Sequence, residues 1–265
     1  MQYGTMNFPV KPLVAEIEEI GRLGFDYLEL AMDPPEASPD KVIEQRDEII
    51  QSLGHHNLGI VGHLPTFVNS ANLYNSLRQA SLREIFLALE VGVSIGMKKV
   101  VVHPGYVSGL GIFVKDRVKH YALEGIAGIC KRANELGVTV CLENLPPGVT
   151  FWNDPEEFRE LLAGFPELQL TLDIGHANIG RSRKKGIRFI QKYPTRIGHV
   201  HVSDNFGARD EHLEIGKGTV PFLKTVQALI GMGYDGTITI EVFTPTRDPV
   251  RESRDRLIEM FARFG

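Results

Sequence analysis

Cysteine is scarce in this sequence, since Cys130 and Cys141 are the only two among 265 residues. Two cysteines cannot build the disulfide framework of a small secreted domain, and they fit a reducing interior. No apolar run is long enough to cross a bilayer, and the first six residues lack the basic and apolar regions of a signal peptide. We therefore expect a cytoplasmic protein without a membrane partner.

Positive charge is also in deficit, with 29 Lys and Arg against 33 Asp and Glu, a formal charge of −4 and a pI near 6.2. This balance gives no overall electrostatic footprint for nucleic acid, although a local basic patch or bound cations could still supply one. A glycine-rich G-x-G-x-x-G fingerprint after the first strand is missing as well, which argues against a doubly wound dinucleotide-binding sheet.

What the sequence does contain is a regular alternation of apolar strands and amphipathic helices, with no low-complexity linker. The expected strands are 3–8, 25–30, 58–63, 99–103, 138–143, 168–173, 196–202 and 237–242. The expected helices are 13–23, 38–53, 77–96, 115–136, 154–165, 183–193, 222–232 and 249–264, and the basic run 181–185 reads as a solvated helix start. Eight such units predict a single (β/α)8 TIM barrel over residues 1–265, with an open doubly wound sheet as the alternative.

The segment 198–218 is rich in side chains that bind metals. It begins as a strand with His199 and His201 on one face, and it continues as a polar loop with Asp204, Asp210 and His212. Imidazole and carboxylate together suit a divalent ion of the zinc, manganese or iron type. A solvated loop with incidental histidines is the alternative for this segment alone.

Other strands end in the same way. Alternation places Glu143, Asp173 and Glu241 on the inward face, at the carboxyl ends where barrel enzymes build their active sites. The candidate ligands are His63, His103, Glu143, Asp173, His176, His201, Asp210, His212 and Glu241. Such a set is too large for one ion, so either two or three metals share it or some members bind substrate.

Three further residues have weaker predicted roles. Glu29 faces inward on the second strand, where it could contact substrate or support a ligand. His199 lies one layer below His201, which favours packing or support over ligation. Lys217, between two glycines, either binds a phosphate or faces solvent.

Five motifs carry a family resemblance over almost the full length. They are VVHPG at 101–105, LEN at 142–144, LDIGHAN at 172–178, HVHVSDN at 199–205 and DEHLEIGKG at 210–218. The sequence resembles the superfamily that joins the xylose isomerase-like sugar isomerases and epimerases to the endonuclease IV-like apurinic endonucleases. The resemblance implies the same barrel and two alternative chemistries, which must be separated by the site.

In the isomerase branch, the resemblance implies one divalent ion (Zn, Mn or Mg) held at Glu143, Asp173, His201 and Glu241. The two glutamates would move a proton, His176 would hold a substrate oxygen, and the substrate would be a sugar or sugar phosphate. In the endonuclease branch, all nine positions would bind three zinc ions and cleave DNA at abasic sites.

Several departures favour a metal-dependent isomerase or epimerase. The run HLPTFVNSA at 63–71 replaces the tyrosine and Asn-Leu-Ala-like run of the nucleases, and DIGH at 173–176 replaces their Asp-Thr-Cys-His. The loop 205–209 is shorter than the loop that the nucleases insert into DNA. A third possibility is a barrel that binds metal or sugar without catalysis.

Overall fold

Eight parallel strands pair in chain order, and β1 pairs with β8 to close a barrel. The computed structural model describes residues 1–148, 150–180 and 182–265. The strands are β1 (Gln2–Met6), β2 (Tyr27–Ala31), β3 (Gly59–His63), β4 (Lys99–Val102), β5 (Thr139–Glu143), β6 (Gln169–Asp173), β7 (Ile197–Val202) and β8 (Thr237–Ile240). The predicted barrel is confirmed; β1 and β8 each end two residues earlier than predicted.

Helices surround the strands. They are α1 (Leu13–Arg22), α2 (Pro39–Glu44), α3 (Arg46–His55), α4 (Asn75–Ser94), α5 (Lys115–Glu135), α6 (Phe158–Gly164), α7 (Ile174–Asn178), α8 (Lys185–Lys192), α9 (Phe222–Gly231) and α10 (Asp248–Phe264), and a 3-10 helix spans Gly109–Phe113. The helix predicted at 38–53 is two helices that meet at Gln45. The helix predicted from 154 begins only at Phe158, and α7 was not predicted. In the basic run 181–185, α8 begins at Lys185 and Arg181 lies outside the described residues.

Alternate strand residues separate two environments. Val140 and Leu142 of β5 point outward into the main apolar core, which lies between strands and helices. Inside the barrel, Tyr27, Val61 and Val101 form a separate small apolar cluster. Further along the same inward rows the residues are polar. The histidines and carboxylates therefore lie toward the carboxyl ends of the strands.

Candidate metal centre and cavity

A cavity of about 480 Å³ lies at the carboxyl end of the barrel. Seven of the nine predicted ligands line it: His63, His103, Glu143, His176, Asp210, His212 and Glu241. The other two, Asp173 and His201, are fully buried and contact the same cluster. The structure therefore brings together all nine positions.

The central group consists of Glu143, Asp173, His201 and Glu241, whose candidate ligand atoms all lie within 4.8 Å of one another. His201 Nδ1 lies 3.6 Å from Glu143 Oε1 and 3.6 Å from Glu241 Oε2. In the described part of the chain, His201 Nδ1, Glu241 Oε2 and Asp173 Oδ2 are buried without a hydrogen-bond partner. Buried polar atoms are rarely left unpaired, so this donor set fits a divalent cation.

Two further groups flank the central one. His63 and His103 place their Nε2 atoms 3.6 Å and 3.1 Å from Glu143 Oε2. On the other side, Asp210 Oδ2 lies 2.9 Å from Nε2 of both His176 and His212. Glu143 belongs to both the central group and the first flanking group, and its Oε1 lies 3.0 Å from Nδ1 of His176 in the second flanking group. The three groups therefore adjoin, and their residues could hold between one and three ions.

In each candidate histidine, one ring nitrogen binds a backbone carbonyl or a side chain outside the three groups, and this bond orients the ring. The other ring nitrogen is then available to ligate a metal. These bonds are His63 Nδ1 to Leu64 O (3.1 Å), His103 Nδ1 to Tyr106 Oη (2.5 Å), His176 Nδ1 to Asn144 O (3.0 Å), His201 Nε2 to Glu29 Oε1 (2.9 Å) and His212 Nδ1 to Glu241 O (2.9 Å).

Negative charge is crowded in the centre. Burial raises the pKa of Asp173 to about 7, and the nearby Glu241 and Glu143 carboxylates act in the same direction. Burial opposes the charge of Glu143, but His201 and His103 outweigh it and hold the pKa of that carboxyl well below its usual value. Burial likewise opposes protonation of His212, yet Asp210 and Glu241 raise its pKa to about 9. A bound cation would relieve the crowding of these carboxylates.

Glu29 lies beneath the cavity and does not line it, which favours support of a ligand over contact with substrate. Its side chain is fully buried, and Oε1 accepts from His201 while Oε2 accepts from His199 at 2.8 Å. The geometry fits support of a ligand instead. Burial lowers the pKa of His199 to about 4, which is consistent with a neutral ring in the layer below the three groups of candidate ligands.

Lys217 does not line the cavity, which favours the solvent-facing alternative over phosphate binding. Its side chain is 57% exposed, and Nζ lies 4.0 Å from Glu214 Oε2.

Asp204 has a structural role that its sequence context did not reveal. Its carboxylate accepts hydrogen bonds from the backbone nitrogens of Asn205, Gly216, Gly218 and Val220, at 2.8–3.0 Å. The loop that carries Asp210 and His212 is thus closed around one buried side chain. The glycines at 216 and 218 were the available signal, because Gly216 has a positive φ of 90° and a side chain at position 218 would collide with the Asp204 carboxylate.

Comparison with known proteins agrees with this architecture. The chain is 23% identical over 263 residues to fructoselysine 3-epimerase of Escherichia coli O157:H7, covering 94% of this chain and 92% of that protein. It is 26% identical over 242 residues to D-psicose 3-epimerase of Ruminiclostridium cellulolyticum, covering 86% of this chain and 77% of that protein. A solved D-tagatose 3-epimerase-like protein matches with a TM-score of 0.86 at 28% identity, covering 100% of this chain and 98% of that one.

The family assignment rests on a family model that matches most of the chain. The family model described as xylose isomerase-like TIM barrel matches residues 17–260, a range that includes every strand from β2 to β8. The resemblance seen in the motifs is confirmed. The chain therefore belongs to the xylose isomerase-like TIM barrel family.

Proposed function

We propose that this protein is a divalent-metal-dependent enzyme that isomerises or epimerises a sugar. The observation that carries the proposal is the convergence of Glu143, Asp173, His201 and Glu241 at the floor of a cavity, with three of their buried atoms unpartnered in the described structure. The sugar epimerases among the similar proteins support the isomerase or epimerase class.

The chemistry follows from the two glutamates. A divalent ion, when bound, would polarise the carbonyl and hydroxyl oxygens of an open-chain sugar. Glu143 on β5 and Glu241 directly after β8 belong to strands separated by β6 and β7, so they reach the centre from different sides. One carboxylate would remove the proton beside the carbonyl and the other would return a proton. His176, held by Asn144 O, would orient a substrate oxygen.

An uncharged sugar suits this cavity better than a sugar phosphate. The described residues that line it include Asp33, Glu143, Asp210 and Glu241, and none of them is a lysine or arginine. A phosphate group would therefore meet no lysine or arginine from the described walls. We also propose a cytoplasmic location, because the two cysteines are unpaired. In the described residues, no helix is both long and apolar enough to cross a membrane.

The test is an assay of free ketoses with the protein loaded with Mn, Co, Mg or Zn. We expect exchange of the proton beside the carbonyl with solvent deuterium, together with formation of the epimer or isomer. Asp173→Asn removes a central ligand and should abolish both, whereas Lys217→Ala should leave both intact. If no ketose is converted by the protein with any of these metals bound, the proposal is wrong.

Phosphodiester hydrolysis is a second candidate, because all nine predicted ligands adjoin in three groups. A trinuclear site of this kind could activate water and stabilise a phosphodiester. Metal content per chain and nicking of a synthetic abasic duplex test it. Three bound ions with nicking that disappears in His63→Ala would establish hydrolysis; a fully loaded protein that leaves the duplex intact would rule it out.

A further inference from the structure

Exposed aromatic rings surround the mouth of the cavity. Phe8 follows β1, Phe67 follows β3 and Phe243 follows β8, and all three line the cavity although their side chains are largely exposed. Phe67 is 85% exposed, which is unusual for a ring of this size. Exposed apolar surface at the mouth of a binding cavity is expected to contact a ligand.

A second depression of about 590 Å³ adjoins the cavity. The two share Asp33 and Phe67, so the ring of Phe67 forms part of both walls. The depression lies between the loops that follow β2 and β3 and the first turns of α4. We call it the outer groove. Because Phe67 and Asp33 border both spaces, a molecule that extends past the exposed ring of Phe67 could contact both.

The chemistry of the outer groove differs from that of the metal floor. Val68, Leu77 and Ala80 supply apolar surface, and Leu77 is 52% exposed although it is a large aliphatic side chain. Asp33 and Glu84 are the acidic residues on its walls, and its described lining contains no lysine or arginine. This combination favours an apolar group that carries no negative charge.

We propose that the outer groove binds an apolar, non-anionic substituent of an extended sugar substrate, whose sugar part lies over the metal groups. The proposal rests on the proposed sugar chemistry. The cavity alone falls within the size range of pockets that enclose small ligands, about 300–1,000 Å³. The groove adds comparable space for a second part of the same molecule. Leu77 and Phe67 then determine specificity by contacting the substituent.

The test compares three probes: a ketohexose, the same sugar with a phenylpropyl ether, and the matched ether whose chain ends in a carboxylate. The substituent is placed at C1 and at C6 in separate compounds. Binding is measured by calorimetry, and kcat and KM are measured where turnover occurs. We expect the phenylpropyl ether to bind at least tenfold more tightly than the plain sugar, and the carboxylate to remove most of that gain.

Variants on α4 locate the contact. Leu77→Ala should weaken binding of the phenylpropyl ether about fivefold, corresponding to about 1 kcal/mol, and leave the plain sugar unchanged. Ala80→Trp fills the groove and should remove the preference altogether. Leu87→Ala is the matched control, because Leu87 is a 38% exposed leucine on the same helix that does not line the groove.

The two proposals fail separately. If ketohexoses react but Leu77→Ala and Ala80→Trp bind the substituted sugar as the unaltered protein does, the outer groove proposal is wrong and the sugar chemistry stands. If no sugar reacts, yet the substituted sugar binds and the two variants weaken it, the catalytic proposal fails and the groove assignment stands.

Discussion

We expect Glu241 to be needed for catalysis and, without metal, to contribute nothing to the stability of the fold. It is buried at the mouth of the barrel, and it is one of the carboxylates that raise the pKa of Asp173. We expect Glu241→Gln to lower kcat by about 10²–10⁴-fold, since the amide cannot transfer a proton. In the presence of a chelator the same variant should melt at or above the temperature of the unaltered protein, because it removes one of several crowded charges.

These two measurements belong together. Kinetics on the metal-loaded protein and thermal melting of the chelated protein separate a functional carboxylate from a structural one. A Glu241→Gln protein that melts well below the unaltered chain without metal would show that this side chain stabilises the fold, contrary to the prediction.

Glu29 acts on the site through His201. Its buried carboxylate accepts from the ring nitrogen of His201 that faces away from the metal groups, and this bond fixes the ring orientation. Glu29→Gln should weaken metal binding about 10–100-fold. Competition with a chromophoric chelator measures the change. Glu18→Gln is the control, since Glu18 also binds a histidine, His56 at 2.8 Å, but from helix α1 outside the barrel. Equal metal affinities of the two variants would contradict the prediction.

The loop between β7 and α9 is an element organised by one side chain. Asp204 accepts four backbone hydrogen bonds, and its own backbone pairs with Leu213 at 2.8 Å in both directions. His212 in this loop has a φ of 46°, a left-handed conformation that is uncommon for a non-glycine residue. Bonds from its ring to Glu241 O and from Phe243 N to its carbonyl hold it there.

Asp204→Ala should release this loop. Leaving several backbone donors without a partner should cost about 2–4 kcal/mol of unfolding free energy, and Asp210 and His212 should lose their fixed positions. Denaturant titration measures the stability, and metal affinity reports the ligands. Glu211→Ala is the control in the same loop, because Glu211 accepts a single backbone bond, from Phe206. A destabilisation no greater than that of the control would contradict this account.

Strands and short helices differed in how far the sequence could predict them. The inward rows of β5 to β8 were predicted because apolar and polar residues alternate along each strand, so the ends of these rows identified Glu143, Asp173 and His201. Helix α7 was missed because it has only five residues and contains Gly175, although Asp173 caps it by accepting from the His176 nitrogen. The break at Gln45 was missed because the apolar period of α2 continues into α3. For Glu29 the sequence predicted the inward direction but left its role open between substrate contact and support, because depth inside a barrel depends on strand stagger, which alternation does not encode.

Candidate ligands and apolar side chains come largely from different parts of the barrel. Strands β3 to β8 and the loops after them supply every candidate ligand, whereas the segments around β1 and β2 contribute the apolar Met6, Phe8, Pro9 and Ala31 to the cavity wall, together with Asn7 and Asp33. A substrate would therefore lie between a charged floor and a mainly apolar wall, and this wall would help to exclude water from the reacting atoms.

Metal removal should lower the stability of the whole molecule. The central group joins β5, β6, β7 and the end of β8, so an ion bound there would connect half of the strands at the open end of the barrel. An ion present at about 100 times its dissociation constant stabilises the folded state by about 2.7 kcal/mol, which should raise Tm by about 5–10 °C. Scanning calorimetry with metal and with chelator measures the difference. Asp173→Asn, which lacks a central ligand, should show only a small difference in Tm between the two conditions. If the Tm of the unaltered chain is the same with metal and with chelator, the central group holds no ion.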